Sequence, residues 1–316
     1  MWTKLNKKIS TFREKIINDI YSLEEDGVYK DFELTVGIAT EWITGYVLNA
    51  LPKKIKARKS ESYLLKSSRI QGGWGFNSNV VADADSTAIV IAGMSIENVK
   101  NKDIDFLEQH IRESGGVSTY IERDLLLAFN DNNKYFPKAP LNIYRGWLQE
   151  HLSTSCNTLI ALKSVLSDKK KGKMETFIMN NFSDGVWWDY WWKDWYYPTM
   201  VAVLALEGDI SNYYKHKIIS YISETQLING GWGKKEFEPF ATSCIMITLK
   251  TLGYEQSILY TDAIESFINN SDYRVNLSGR ARMKVPSADE LSHFKGTIVK
   301  DNGIFTLATM YNALNY

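Results

Sequence analysis

The sequence predicts an all-α protein: a closed α/α barrel of about six helix pairs, one domain with an amphipathic helix ahead of it. Three observations carry this expectation. A unit of about forty residues recurs, each a Gly or Gly-aromatic turn leading to a helix that opens with Ser or Thr, and this is the period of helix-pair arrays. Strand signals are nearly absent, with no alternating runs closed by Asn-Gly turns. Small hydroxyl and alanine residues on the recurring helices suit close packing around a common centre, which favours closure over an open solenoid.

Taken in order, residues 1–30 hold the leading helix, a lid or outer brace, and residues 31–316 hold the barrel. Over 2–23, Trp2, Leu5, Ile9, Phe12, Ile16, Ile20 and Leu23 recur at three- and four-residue spacing, with Lys4, Lys7, Lys8, Arg13 and Lys15 opposite. Such a helix packs on its own domain or lies on a membrane surface. Thr40–Val47 then leads into Leu51. Gly72-Gly73-Trp74 leads to Ser86-Thr87, and Gly115-Gly116-Val117 to Ser118-Thr119-Tyr120. Gly146-Trp147 precedes His151 and a helix over 153–165. Asp184-Gly185-Val186-Trp187-Trp188 precedes Pro198-Thr199 and a helix to Glu207. Gly230-Gly231-Trp232-Gly233 precedes Thr242-Ser243 and a helix to Leu252. Asn302-Gly303-Ile304-Phe305 precedes Thr306 and the last helix. Between these, 104–112 and 258–268 have amphipathic helical spacing.

Composition narrows the function. Of 316 residues, 44% are apolar, and Lys+Arg and Asp+Glu balance at 37 each, which gives no electrostatic reason for a nucleic-acid partner. Cys156 and Cys244 lie inside apolar runs, as reduced, buried thiols of a cytoplasmic protein do. No run approaches the roughly 20 apolar residues of a membrane span, and the N-terminus lacks the apolar core of a secretory signal. A cytoplasmic chain, or one peripheral to a membrane, is expected.

Two features point to chemistry. Asp83-Ala84-Asp85-Ser86-Thr87 stands at the mouth of an apolar helix. Asp and Ser there can simply cap the helix. Alternatively, burial among aromatics and the proximity of a second carboxylate keep one acid protonated and able to give its proton away. Eight of the eleven positions from Trp187 to Tyr197 are aromatic. Such rings either plug a barrel end or line a wall that stabilises cations by about 1–2 kcal/mol each.

The Gly-Trp turns in register, together with Asp83-Ala84-Asp85-Ser86-Thr87-Ala88, resemble the prenyltransferase/squalene-oxidase repeat superfamily, and within it the class II, squalene-hopene cyclase-like terpenoid cyclases. The resemblance runs from about Phe32 to the end. Glu41–Val47, Gly115–Tyr120, Asp184–Trp192 and Gly303–Thr306 look like stretches of small bacterial members. The family's acid motif is Asp-x-Asp-Asp, whose middle Asp protonates an alkene or epoxide. By position Asp83 and Asp85 match the first and middle acids, and Ser86 stands in place of the third. The resemblance implies a proton-initiated terpene cyclase with Asp85 as general acid, Asp83 and Ser86 beside it, and His151 as a partner or final base. Trp74, Trp187, Trp188, Tyr190, Trp191, Trp192, Trp195, Tyr197 and Phe305 are the expected cation-stabilising rings.

The substrate implied is a linear isoprenoid, a prenyl diphosphate first and a prenylated small molecule second. If it bears a diphosphate, Lys193, Arg280 and Arg282 are the expected contacts, from a basic loop that also carries Arg274, Lys284, Lys295 and Lys300. No cofactor is required, and Mg2+ enters only with a diphosphate. No Asp-Asp-x-x-Asp string, zinc-ligand spacing or Gly-rich phosphate loop is present. Since many family enzymes pair two such domains, the second wall would come from the chain's own lid, a homodimer or a partner subunit. A non-catalytic barrel that binds a lipid or a partner chain is the alternative.

Overall fold

The computed structural model describes residues 2–52, 57–131, 133–270 and 280–315, with residues 2–6 and 57 by their backbone alone. The side chains of Trp2 and Leu5, and all of Arg274, lie outside the described residues.

Six helices form a closed inner ring: α2 (Glu41–Ala50), α4 (Ala84–Gly93), α7 (Leu152–Leu162), α9 (Tyr196–Ala205), α11 (Pro239–Thr251) and α13 (Ile304–Asn315). Each packs on the next, and α13 returns to α2. Outside lie α1 (Trp2–Ser22), α3 (Ala57–Ser67), α5 (Asn101–Glu108), α8 (Asp168–Asn180), α10 (Asn212–Thr225) and α12 (Ile258–Asn269). A further helix, α6 (Glu122–Asn130), stands apart from both rings. The division follows from the sequence. Inner helices such as TSCNTLIAL and ATSCIMITL have no charged face and are buried almost throughout. Outer helices bury one stripe only, Met174 and Ile178 in α8 or Ile218 and Ile222 in α10. The leading helix packs on α13 and α12 with Ile16 and Ile20 fully buried, worth about 1.5–3 kcal/mol each.

One joint repeats six times around the ring. A hydroxyl in the first turn of every inner helix accepts the backbone N–H of the preceding turn: Thr44 from Tyr29 (3.1 Å), Thr87 from Trp74 (3.0 Å), Ser155 from Val117 (2.8 Å), Thr199 from Trp187 (3.1 Å), Thr242 from Trp232 (2.9 Å) and Thr306 from Ala281 (3.2 Å). In three units the turn residue is Trp, whose indole N–H reaches back to the outer helix. Trp74 donates to the Leu64 carbonyl (2.7 Å), Trp187 to that of Ile178 (2.8 Å) and Trp232 to that of Ile222 (3.0 Å). These carbonyls belong to the last turns of α3, α8 and α10, where the helical ladder runs out, and each indole adds a donor to the local ones there. Each Trp therefore ties an outer helix to the inner helix that follows it. Gly72 makes the turn possible at φ +98°; a Cβ there would stand 2.2 Å from the Lys102 carbonyl oxygen.

The closest inner contact is between α2 and α4. A Cβ on Gly93 would meet the Gly45 oxygen at 2.2 Å, and one on Gly45 would meet Val90 Cα at 2.7 Å. Both obstacles are backbone and cannot swing away. Gly93→Ala is therefore expected to cost about 1–3 kcal/mol despite alanine's better helix propensity, read as a lower urea midpoint at unchanged slope.

Some expectations are corrected. Four two-stranded antiparallel ribbons are present: β1 (Asp31–Leu34) with β2 (Gly37–Ala39), β3 (Val117–Ser118) with β4 (Glu150–His151), β5 (Phe182–Ser183) with β6 (Val186–Trp187), and β7 (Arg282–Val285) with β8 (Thr297–Lys300). At two to four residues per strand they are too short for alternation to show. Val117 pairs with His151, so the Gly115-Gly116-Val117 turn belongs to α7, not to a helix at Ser118. The intervening 120–149 segment is an insertion, and Gly146-Trp147 is part of it rather than a unit of its own. The helix expected over 104–112 runs instead from Asn101 to Glu108. Cys156 and Cys244 are free and buried.

Candidate active site

The joints fix a register for whatever faces the barrel axis. Two residues before the joint hydroxyl stand Trp42, Asp85, Ser153, Tyr197 and Phe240 on α2, α4, α7, α9 and α11, and on α13 Phe305 lies one residue before it. Equivalent positions on consecutive helices thus converge at one end of the ring, and one of them is a carboxylate.

Asp83 and Asp85 have different surroundings. Asp83 is the N-cap of α4. Its Oδ1 accepts the Ser86 N–H at 2.8 Å and its Oδ2 the Ser86 hydroxyl at 2.7 Å, and only 4% of its surface remains accessible. Asp85, one turn in, is half-buried. The Trp42 indole N–H donates to its Oδ2 at 3.1 Å, and Asn157 Nδ2 donates to its Oδ1 at 2.9 Å. Asn157 also lies 3.4 Å from the Tyr197 hydroxyl, so the acid, the amide and the phenol form one line across α4, α7 and α9. Burial raises both carboxyls, Asp83 to about 8 and Asp85 to about 6. For Asp85 the Asn157 hydrogen bond opposes the rise, nearby Asp189 adds to it, and the Trp42 bond again opposes it. The higher value belongs to Asp83, but proton delivery turns on geometry. Both carboxyls have both oxygens hydrogen-bonded, but Asp83's partners are on Ser86 of its own helix, whereas Asp85's are Trp42 and Asn157 of neighbouring inner helices, beside the convergent aromatic residues.

Those rings form a continuous wall. Phe305 lies 4.0 Å from Tyr46, 5.2 Å from Trp42, 5.4 Å from Trp192, 5.6 Å from Phe240 and 5.7 Å from Tyr197, centroid to centroid. Trp192 packs on Tyr197 at 4.2 Å, and Phe32 stands edge-on to Trp42, Trp192 and Phe305. The 187–197 run is divided by this geometry. Trp192 and Tyr197 stand on the wall. Trp187, like Trp74, is a joint between helices. Trp188 is 41% exposed. Trp195 turns to Tyr196 and Tyr221, away from the acid.

Tyr190 and Trp191 sit on the His151 side. Tyr190 stacks on His151 at 4.5 Å and donates to the Glu290 carbonyl, and Trp191 Nε1 donates to the Thr119 hydroxyl at 3.0 Å. His151 touches neither acid. Its Nε2 meets the Gly146 carbonyl at 3.0 Å, so that nitrogen carries the proton, and its Nδ1 faces the Thr119 hydroxyl at 2.8 Å. Burial pushes the imidazole well below its usual value. Thr119 in turn offers its carbonyl to the Ala84 N–H at 2.9 Å. His151 and Ser86 thus fix the α4 entrance, and the direct contacts of Asp85 are Trp42 and Asn157.

A second aromatic cluster of this chain stands beside the His151 side. The 120–149 insertion builds its own cluster from Tyr120, Leu125, Phe129, Phe136 and Tyr144. It is tied to the 286–290 segment by the Gly146 N–H to the Ala288 carbonyl (2.8 Å) and the Trp147 indole to that of Pro286 (3.3 Å). Trp147 stands 6.4 Å from Trp191. Lys284, almost fully buried, donates to the carbonyls of Asp189, Trp192 and His293 and fastens the aromatic loop to β7.

The expected phosphate contacts fare less well. Lys193 is exposed. Arg282 is occupied: its Nε meets Asp194 at 2.6 Å and its NH1 and NH2 meet Glu238 at 3.1 and 2.6 Å. Arg280 donates through NH1 to the Asp301 carbonyl at 3.2 Å. Among the described residues no group of three or more His, Cys, Asp or Glu is placed to hold a metal, and no helix is long and apolar enough to cross a membrane.

No protein-family model matches the chain, and no curated protein sequence matches it. Solved structures do. The type II terpene cyclase MstE from Scytonema, in complex with its substrate geranylgeranyl dihydroxybenzoate, is 20% identical, with a TM-score of 0.77 over 99% of this chain and 98% of that one. A protein from Actinoplanes is 21% identical, with a TM-score of 0.77 over 97% and 98% of the two chains. The ent-copalyl diphosphate synthase from Streptomyces platensis is 17% identical, with a TM-score of 0.59 over 88% of this chain and 51% of that one. The chain has the fold of the class II terpenoid cyclases, as a single α/α barrel.

Proposed function

We propose that the protein is a class II terpene cyclase that starts a cyclisation by protonating the terminal alkene of a linear isoprenoid, with Asp85 as the acid. The observation that carries this reading is the placement of Asp85. It is held by Trp42 and Asn157, raised by burial and faced by a wall of Trp, Tyr and Phe rings. Protonation makes a tertiary cation at the alkene and leaves a carboxylate. Ring closure moves the cation along the chain, past faces that stabilise it by about 1–2 kcal/mol each. Loss of a proton, or capture of water, ends the reaction. The protonation step uses no metal. The prenylated arene that MstE takes as substrate, geranylgeranyl dihydroxybenzoate, is of the kind that such a barrel would accept.

A general acid works while protonated, so activity should decline as pH rises through about 6. Product formation from geranylgeranyl substrates across pH 5–9, followed by mass spectrometry, tests this; a rate that climbs through pH 6 would remove Asp85 as donor. Because the Asn157 hydrogen bond holds the Asp85 value down, Asn157→Leu is expected to shift the declining limb to higher pH.

A further inference from the structure

We propose that a crevice between the first turns of α9 and α11 takes one oxygen of the substrate's polar end, and that it selects a head group with at most one negative charge rather than a prenyl diphosphate. This rests on the cyclase reading above. The crevice is narrow, with room for little more than one water-sized group, and is lined by Trp192, Tyr197 and Phe240 together with Asp194, Glu238, Arg280 and Arg282.

Position is the first argument. In the ring order, α11 is three helices from α4 in either direction, so the crevice lies across the barrel from Asp85. Trp192, Tyr197, Phe240 and Phe305 lie between them. An isoprenoid laid on that wall with its terminal alkene at Asp85 brings its other end to the crevice.

Charge is the second argument. Two guanidinium groups face two carboxylates, and Arg282 is held by both acids, with Glu238 gripped through two nitrogens. Lys234 adds one partly exposed cation at 3.5 Å from Asp194. Behind Arg280 stand the buried carboxyls of Asp31 and Asp301, which act on it. A diphosphate would bring several negative charges against Asp194 and Glu238, with Arg282 already held by both acids and only Arg280 and the exposed Lys234 left to meet them, a costly arrangement away from water. A hydroxyl, phenol or carboxylate asks for much less. Arg280 Nε is buried without a partner, an N–H that one oxygen acceptor would satisfy. Asp194 and Glu238 can accept from a hydroxyl on the same head.

The test is equilibrium binding of geranylgeraniol, geranylgeranoic acid and geranylgeranyl diphosphate to the full chain, by calorimetry, with products analysed in parallel. The alcohol and the acid are expected to bind at least about tenfold more tightly than the diphosphate. Arg280→Leu should weaken the acid by about tenfold, and Glu238→Gln, which frees one side of Arg282, should improve the diphosphate by a similar factor. A diphosphate that binds wild type as tightly as the acid overturns the proposal, as does an Arg280→Leu chain that binds the acid undiminished. If a variant does not fold, the wild-type ligand series decides alone. Binding is read without turnover, so the two claims separate. The expected preference with no cyclic product from any ligand removes the cyclase reading, and efficient cyclisation of the diphosphate keeps that reading and removes this one.

Discussion

Asp85→Asn is expected to lose the cyclic product, with turnover down by about 10²–10⁴, while the chain stays folded. The amide matches the carboxyl in size and has no proton acidic enough for an alkene. Its effect on stability depends on pH, with a definite sign. The folded-state value of about 6 lies above the ordinary 3.8, so the folded chain binds this proton more tightly than the unfolded one. The burial penalty is absent below about pH 4, grows as pH rises to about 6, and is fully present above. By the linkage relation it reaches on the order of 3 kcal/mol. Asparagine removes that penalty but turns its own N–H2 toward one of the two donors, Trp42 or Asn157, at a cost of about 1–3 kcal/mol. The variant should therefore melt near the wild type at pH 8 and below it at pH 4. Product analysis with melting curves at both pH values checks all of this. Loss of product together with collapse of the fold at pH 8 would mean that Asp85 is structural.

Trp187→Ala is expected to cost about 3–5 kcal/mol of stability, the largest loss from any one ring of the 187–197 run. The indole is completely buried between α8 and α9, and its removal leaves a large cavity and takes one of the two donors from the Ile178 carbonyl. Trp187→Phe keeps most of the volume but not the hydrogen bond, and should cost about 1–3 kcal/mol. Five residues on, Trp192 belongs to the wall. Trp192→Leu should slow cyclisation roughly tenfold or more through loss of about 1–2 kcal/mol of cation stabilisation. Urea unfolding and product formation, measured on all three variants, separate joint from wall. A Trp187→Ala chain that unfolds with the wild-type midpoint would contradict the indole tie between α8 and α9.

That division explains what the sequence could and could not reveal. The forty-residue repeat was legible because the joint reuses the same chemistry: a small hydroxyl on every inner helix, and at four of the six turns a flat ring, Tyr29, Trp74, Trp187 or Trp232. The barrel followed from it. The acid was legible too, since Asp83 and Asp85 stand beside a joint hydroxyl, Thr87. The density of rings from Trp187 to Tyr197 was visible, but their directions were not. Trp187, Trp188, Trp192 and Trp195 look alike in the chain and go to a joint, the surface, the wall and an outer helix. The partners of Asp85 were hidden for another reason. Trp42 and Asn157 come from 43 and 72 residues away and meet the acid only because the ring closes. The joint register could have found Trp42, which stands two residues before Thr44 as Asp85 does before Thr87. Nothing local marks Asn157. The short ribbons and the 120–149 insertion were lost because a two-residue strand has no period.

The most direct test of Asp85-initiated chemistry is cyclisation in deuterium oxide, with the product examined by mass spectrometry and NMR. Proton transfer from a carboxyl that exchanges with solvent places one deuteron on the ring carbon derived from the CH of the terminal alkene and raises the product mass by one unit over the reaction in water. The head group stays intact throughout. A cyclic product without deuterium at that carbon, or one that forms only as the head group leaves, would contradict protonation as the first step.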